Sequence, residues 1–465
     1  MTAPVIVWFR RDLRLADQPA LAAAVASGVP VIPVYILDDD TPKHRKMGAA
    51  SRWWLHHSLT ALDADLQKLG SKLLLRKGKS DAVLGALAAE TNASAIHCIR
   101  HYEPWWRNAE KAVASRLHKD TALICHDGNY LLPAGSVTTG SGGQYKIYTP
   151  FMRALWQQMP PPVPHPAPTK IAAPDNWPDS DSLFAWNLLP TKPNWSGAMD
   201  EMWTPGEVGA KNRLSTFVDK AKFYDEKRNL PSVEGSSFLS AHLHFGEISP
   251  AACWHATMDQ GGSVDVFLKE LVWRDYAQNV IVQMPEYGAK NAREAFDVFP
   301  WRELSDPAVQ ADFVAWTKGR TGYPIVDAGM RQLWATGWMH NRVRMIAASF
   351  LIKHLLIDWR EGEKWFWDTL VDADYGSNSV NWQWTAGTGV DSNMFVRIMA
   401  PLSQSEKFDA ARYIREWVPE LAALQEPYIH DPDEYGVRPK DYPRKIIGHK
   451  AARERALHAH AVVKG

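Results

Sequence analysis

Two carboxylates, an amide and two indoles crowd one short stretch of this chain: Asp372, Asp374, Asn378, Trp382 and Trp384. Carboxylates accept hydrogen bonds from ring or ribose donors, a guanidinium such as Arg344 pairs with an aspartate and holds it ionised, and indoles offer stacking faces. Such a set suits a heteroaromatic ring with a polar edge. The same residues also suit a plainer role, because aspartates favour helix N-termini and tryptophans fill cores. The stretch alone leaves both open.

The elements that must position these groups are helical. Between residues 327 and 359 apolar residues recur every three or four positions, which predicts two helices broken at Gly337, the second over residues 340–356. On that second helix Asn341, Arg344 and Met345 share a face. An amide, a guanidinium and a thioether converging there point to a cavity rather than to ordinary core. A helix farther upstream puts Glu270, Trp273 and Arg274 on one face; by spacing alone Glu270 and Arg274 make a surface ion pair worth little. Another helix is expected over residues 206–229, ending near Tyr224. The hydroxyl run Ser236, Ser237 and Ser240, with Phe238 and Leu239 between, then reads as an N-cap.

The first part of the chain has a different rhythm. Residues 4–9, 29–37, 72–76, 95–100 and 122–126 read as short buried strands, and 17–28, 51–69, 80–91 and 105–118 as the helices between them. That alternation predicts an α/β, doubly wound, parallel-sheet (Rossmann-like) domain over residues 1–131. No Gly-rich dinucleotide fingerprint follows the first strand, and Arg10, Arg11 and Arg14 after it read as a solvated or inter-domain polar loop. Residues 132–205, rich in Pro, Gly and Ser, read as a linker crossing the surface. No strand pattern returns afterwards, so residues 206–465 are expected to form an all-α domain.

Composition narrows the function classes. The 465 residues are 46% hydrophobic and 22% charged, as in ordinary globular proteins, and the formal net charge of +0 requires any nucleic-acid binding to use a local basic patch. The three cysteines, Cys98, Cys125 and Cys253, show no metal-ligand spacing, so no metal is expected, and their small odd number fits a reducing, cytoplasmic setting. The N-terminus has no signal-peptide pattern and no apolar run reaches membrane-spanning length. The 22 tryptophans suit stacking on bases, electron conduction or bulky packing alike.

Several long motifs, in order, resemble the photolyase/cryptochrome flavoproteins: VIVWFRRDLRLADQPAL near the N-terminus, then LVWRDY, TGYPIVDAGMRQL, TGWMHNRVRM, DADYGSN, NWQW and EKFDAARYIREWVPEL. The resemblance spans nearly the whole chain and is strongest to bacterial cyclobutane pyrimidine dimer photolyases, class I-like. It implies an N-terminal antenna domain, a short docked helix at residues 148–153, and a helical domain holding non-covalent FAD. It also implies a light-dependent carbon–carbon lyase, a deoxyribodipyrimidine photo-lyase, acting on UV-damaged DNA as a monomer. Splitting a dimer needs an electron that side chains cannot supply, which is why a cofactor carries the step.

The resemblance assigns roles residue by residue. Tyr224, Ser236, Ser237, Phe238, Leu239 and Ser240 lie on the flavin diphosphate side, a task that helix-start amides and hydroxyls suit. Arg344, Asp372 and Asp374 surround the flavin and ribose, and Asn378 faces the flavin N5, where plant cryptochromes carry an Asp. The lesion is met by Glu270, Trp273, Asn341, Met345 and Trp384, with Arg274 beside them, and Arg342, Arg397 and Gln404 reach towards DNA. A tryptophan chain for electron resupply maps onto Trp382 and Trp359, with Trp301 of the FPW triplet as its outer member. His340-Asn341-Arg342 differs from the His-His arrangement of relatives that repair (6-4) photoproducts. The antenna, placed near Met47, Gly48 and residues 51–55, is a folate, a deazaflavin, a flavin or absent. The alternatives are a cryptochrome-type blue-light photoreceptor, disfavoured by Asn378 and by the expected lack of a long polar tail, a generic flavin oxidoreductase, and a non-catalytic DNA-binding protein.

Overall fold

The computed structural model describes residues 2–392 and 395–464. They form two compact units. The first takes the chain up to Trp195, Met202–Ala221 and Ser237–Pro285; the second takes Ser196–Glu201, Lys222–Ser236 and the chain from Glu286 onward.

The first unit is built on five parallel strands, β1 (Val5–Phe9), β2 (Val31–Leu37), β3 (Leu74–Lys77), β4 (Ala95–Ile99) and β5 (Ala122–His126), in the order β3-β2-β1-β4-β5. Helices α1 (Pro19–Ala26), α2 (Ala49–Lys68), α3 (Ser80–Thr91) and α4 (Pro104–Arg116) make the crossovers. Every residue of β1 and β2 is buried, as expected of near-continuous apolar runs covered on both faces. Register is set at the centre, where Val5 lies opposite both Val31 and Ala95. Local chemistry agrees with the tertiary plan: Pro19 opens α1 and the Gln18 side chain accepts from the Ala20 and Leu21 amides. The α/β expectation for this region is realised strand by strand.

The loop after β1 is not solvated. Arg10, Arg11 and Arg14 are 2%, 8% and 1% exposed. Arg10 pairs with Glu110 at 3.0 Å and donates to the Ile99 carbonyl, Arg11 pairs with Glu103, and Arg14 donates to Asn129 Oδ1 at 2.8 Å and to the Gly246 carbonyl at 2.9 Å. Guanidinium donors spent on carboxylates and carbonyls offset the desolvation that the sequence pattern suggested they would avoid.

Two further expectations are corrected in the middle of the chain. The helix predicted over 206–229 ends as Glu207–Val218 and is followed by separate turns at Ala221–Phe223 and Tyr224–Lys227. Beyond Phe217 the sequence is mostly charged, so no apolar stripe holds further turns against a core. The hydroxyl run does not cap a helix either. Helix α6 (Ser240–His244) starts from Leu239 without a side-chain cap, Ser237 Oγ accepts locally from the Leu239 amide at 3.3 Å, and Phe238 sits at φ +55°. Between β5 and this segment lies helix α5 (Tyr148–Trp156), where the family resemblance places one, and α7 (Val264–Gln283) follows.

The second unit is helical. Helix α8 (Pro307–Thr317) precedes α9 (Pro324–Thr336), which Gly337 closes at φ +67°, the left-handed C-cap that ends the predicted pair's first member. Helix α10 (Asn341–Ser349) runs on as a π-turn over Phe350–His354, so the predicted 340–356 helix is present but under-wound at its end. Helices α11 (Trp359–Thr369) and α12 (Tyr375–Ala386) complete the frame, capped by Asp358 and Asp374. Among the described residues no helix is long and apolar enough to cross a membrane.

Candidate active site

The second unit gathers the polar cluster. Arg344 on α10 donates through both Nη atoms to the two oxygens of Asp372, at 3.0 and 2.8 Å, while its Nε donates to the Met339 carbonyl at 2.7 Å. A two-pronged guanidinium contact of this kind fixes a carboxylate's plane as well as its charge. Asp374 does the plainer work: its side chain accepts from the Ser377 amide at 2.7 Å and starts α12. Asp372 thus takes the guanidinium and Asp374 the helix start.

One turn along α12, Asn378 is 8% exposed, and its Nδ2 donates to the Glu363 carbonyl at 3.1 Å and to Glu363 Oε1 at 2.9 Å. Both amide hydrogens are therefore engaged, and Oδ1 takes no hydrogen bond from the described residues. An amide held this way presents an acceptor.

The four predicted tryptophans Trp301, Trp359, Trp382 and Trp384 lie in the same unit. Trp382 is 2% exposed, with ring centroids 5.0 Å from Phe366 and 6.4 Å from Trp316, both edge-on. Its ring lies so close to α11 that a Cβ at Gly362 would overlap it. Trp359 is fully buried and donates Nε1 to Asn291 Oδ1 at 2.9 Å, while Trp301 is half-buried against Phe299 at 4.2 Å. Among the described residues Trp359 makes no ring contact with Trp382 or Trp301. Trp384 is half-exposed on α12.

Helix α10 brings other predicted residues together differently from the spacing argument. Met345 meets Arg342 (Nη1 to Sδ 3.6 Å), whose Nη2 donates to Asn229 Oδ1 at 2.7 Å and whose guanidinium covers Phe408 at 4.5 Å. Asn341 is exposed at the first turn. Arg397 is exposed, and its carbonyl accepts from Lys353 Nζ at 2.9 Å. Lys353 itself is buried, and desolvation pulls its ammonium down to about 7. Gln404 is half-buried, as are Ser236 and Tyr224, the latter beneath Arg228 at 5.3 Å.

In the first unit, helix α7 carries Glu270, Trp273 and Arg274, all half-buried. Trp273 lies flat on Tyr148 of α5, with centroids 3.4 Å apart and planes 4° from parallel. Arg274 donates to the Leu243 carbonyl at 3.1 Å and covers Tyr130 at 5.3 Å. Asp275, next in the chain, is buried and accepts from the Leu131 and Leu132 amides, and burial pushes its carboxyl up to about 7. Ser237, Phe238, Leu239 and Ser240 occupy the turn before α6, with Ser240 exposed.

Sequence reasoning missed three of these partners. Glu363, 1% exposed, falls on the same stripe of α11 as buried Trp359 and Phe366. A carboxylate on an apolar stripe was the available signal. Trp316, fully buried, and Tyr148 gave no signal of their own, because their contacts join residues far apart in the chain.

Two family models match the chain: DNA photolyase over residues 5–169 and the FAD binding domain of DNA photolyase over residues 267–461. The chain belongs to the photolyase/cryptochrome family. The deoxyribodipyrimidine photo-lyase of Agrobacterium fabrum is 49% identical over 483 residues, covering 100% of this chain and 98% of that protein. The crystal structure of a bacterial class III photolyase from Agrobacterium tumefaciens matches at a TM-score of 0.93 with 48% identity, covering 100% of this chain and 98% of the other. An archaeal photolyase from Sulfolobus tokodaii, solved with two FAD molecules, matches at 0.84 with 29% identity, covering 98% of this chain and 99% of the other.

Proposed function

We infer that this chain is a light-dependent DNA repair enzyme, a deoxyribodipyrimidine photo-lyase that uses FAD to split cyclobutane pyrimidine dimers. The observation that carries the inference is the Arg344–Asp372 pair beside an Asn378 whose amide hydrogens are spent on Glu363. Those residues fit the cofactor: one carboxylate fixed by a two-pronged guanidinium and one acceptor oxygen unused by the described residues match the polar N–H edge of an isoalloxazine. When bound, reduced FAD supplies on illumination the electron that opens the dimer.

The chain's own residues do the rest. Arg344 and Asp372 hold and orient the cofactor, with Asp374 on the same turn, and Tyr224 with residues 236–240 take its diphosphate side. Asn378 holds a proton at the flavin N5 by accepting from it. Glu270, Trp273, Arg274, Asn341, Met345 and Trp384 receive the extruded dimer, a step that costs a few kcal/mol in intact duplex and less at a poorly stacked lesion. Exposed Arg397, with Arg342, contributes the local basic surface that a chain of net charge +0 requires, and Gln404 reaches towards the DNA as a neutral polar group. Trp382, Trp359 and Trp301 serve electron resupply. Residues 1–131 form the antenna domain, 132–205 the linker and 206–465 the FAD- and lesion-binding domain, in a cytoplasmic monomer.

Two finer points follow from the relatives. The class I-like expectation rests on motifs common to the wider family, whereas the relative at 48% identity is described as class III, which favours that class here. A second chromophore has a precedent in the Sulfolobus structure, described as holding two FAD molecules, and the alternatives for this chain are a folate, a deazaflavin, a flavin or none. The cryptochrome reading is disfavoured by Asn378, where plant cryptochromes carry an Asp.

The test is direct. Protein reduced chemically and illuminated with a thymine-dimer oligonucleotide should remove dimers in the light and not in the dark. Equal dimer content in both would overturn the assignment.

A further inference from the structure

We propose that Tyr148 is a positioning residue for the lesion: it stacks beneath Trp273, fixes the plane of that indole, and so acts on the dimer through Trp273 without touching it. The proposal rests on the reading of Trp273 as a surface that packs on the damaged base. Its basis is a device built along one stripe of α7.

The Tyr148 and Trp273 rings are parallel within 4° at 3.4 Å, and the Tyr148 hydroxyl donates to the Lys269 carbonyl at 3.1 Å, one turn before Trp273. Farther along the same stripe, Tyr276 Oη donates to the Lys146 carbonyl at 2.6 Å, and Asn279 Nδ2 and Gln283 Nε2 both donate to the Tyr145 carbonyl at 3.0 Å. Tyr276 also stands edge-on to both stacked rings, at 5.6 and 5.5 Å. The backbone just before Tyr148 is therefore stapled to the helix that carries Glu270 and Trp273.

Packing alone does not call for this stack. Helix α5 is already anchored by buried Phe151 and Leu155, whereas Tyr148 and Trp273 are both half-exposed. A half-exposed indole on a helix samples several rotamers, and a ligand that stacks on it must first order it. Tyr148 removes that freedom in advance.

The experiment compares Tyr148→Ala, Tyr148→Phe and Trp273→Ala by binding to dimer-containing and undamaged oligonucleotides, together with FAD content. Tyr148→Ala should weaken dimer binding roughly 3- to 10-fold, the size of ordering one side chain on binding. Tyr148→Phe should restore it, and FAD content and undamaged-DNA binding should not change. In the Trp273→Ala background, Tyr148→Ala should add little, because both act through the same ring. Should Tyr148→Ala fail to fold, Tyr148→Leu keeps the bulk without the plane and should show the same loss. Full additivity of the two Ala changes, parent-like binding by Tyr148→Ala, or tighter binding would overturn the positioning role. If Trp273→Ala itself leaves dimer binding unchanged, the lesion reading of Trp273 fails first.

Discussion

Asn378→Asp puts an oxygen where an amide nitrogen now donates, 2.9 Å from Glu363 Oε1 and 3.1 Å from the Glu363 carbonyl, at a pair of residues 8% and 1% exposed. Two carboxylates at that separation repel by on the order of 6 kcal/mol at an effective dielectric of about 20. Taking up a proton at pH 7 costs an ordinary aspartate about 4 kcal/mol, so protonation wins. The new carboxyl then donates one hydrogen bond to Glu363 and forfeits the other, a further loss of about 1 kcal/mol. The sign follows from linkage. The folded state raises the new group's pKa, so the variant is closest to the parent below about pH 4, the unfolded value, and loses ground as pH rises, by roughly 1.4 kcal/mol per unit until the raised pKa is passed. Urea unfolding of parent and variant between pH 5 and 8 reads this difference, and absorbance of bound FAD should fall in parallel. Adding Glu363→Gln should relieve most of it. A variant whose stability tracks the parent across that range would mean that the Asn378 amide does not face Glu363, and the argument for its orientation would be lost.

Three other outcomes are expected. Desolvation holds Lys353 at about 7 in the folded chain against 10.5 when free, so the unfolded state binds more protons in between; stability should rise over that window by on the order of 3–5 kcal/mol, and Lys353→Met should lose that rise in pH-dependent unfolding. Arg344→Ala strands the Asp372 carboxylate and should cost about 3 kcal/mol together with most bound FAD, read as the FAD-to-protein absorbance ratio; full FAD retention would remove the pair from the cofactor site. Arg397→Ala, at an exposed cation, should lower the slope of log affinity for DNA against log salt by about one, and an unchanged slope would place Arg397 off the DNA face.

What was legible in the sequence was what local pattern controls. The seven-residue apolar run of β2 and the glycine at 337 announce their structures because burial on both faces and a left-handed C-cap each have a residue signature. That Arg344 pairs with an aspartate was also foreseen, but not that Asp372 rather than Asp374 is its partner. Partners far apart in sequence were not. Nothing near Asn378 names Glu363, and nothing near Trp273 names Tyr148, because side-chain contacts between elements depend on how helices pack. The failures share one cause. Charged or hydroxyl residues were read as exposed or as caps by type, whereas Arg10, Arg14 and Ser237 are governed by which backbone groups come within reach.

One of the buried arginines after β1, Arg14, serves the segment that follows Ser237 and Phe238. Leu13 donates its amide to the Phe245 carbonyl at 3.0 Å, Arg14 donates to the Gly246 carbonyl, and Arg274 of α7 holds the Leu243 carbonyl. One residue on, Glu247 is fully buried and accepts from Trp54 Nε1 at 2.9 Å and from the Gly206 amide at 2.7 Å, with His242 Nδ1 against its other oxygen. Gly246 cannot carry a side chain here, because a Cβ would strike the Arg11 carbonyl. Phe245 and Gly246 are thus fastened to the loop that leaves the first strand, Leu243 to α7, and Glu247 to α2 and Gly206. Such partners are required because carbonyls in a short irregular turn have no helix or sheet partners and must be satisfied by groups brought to them.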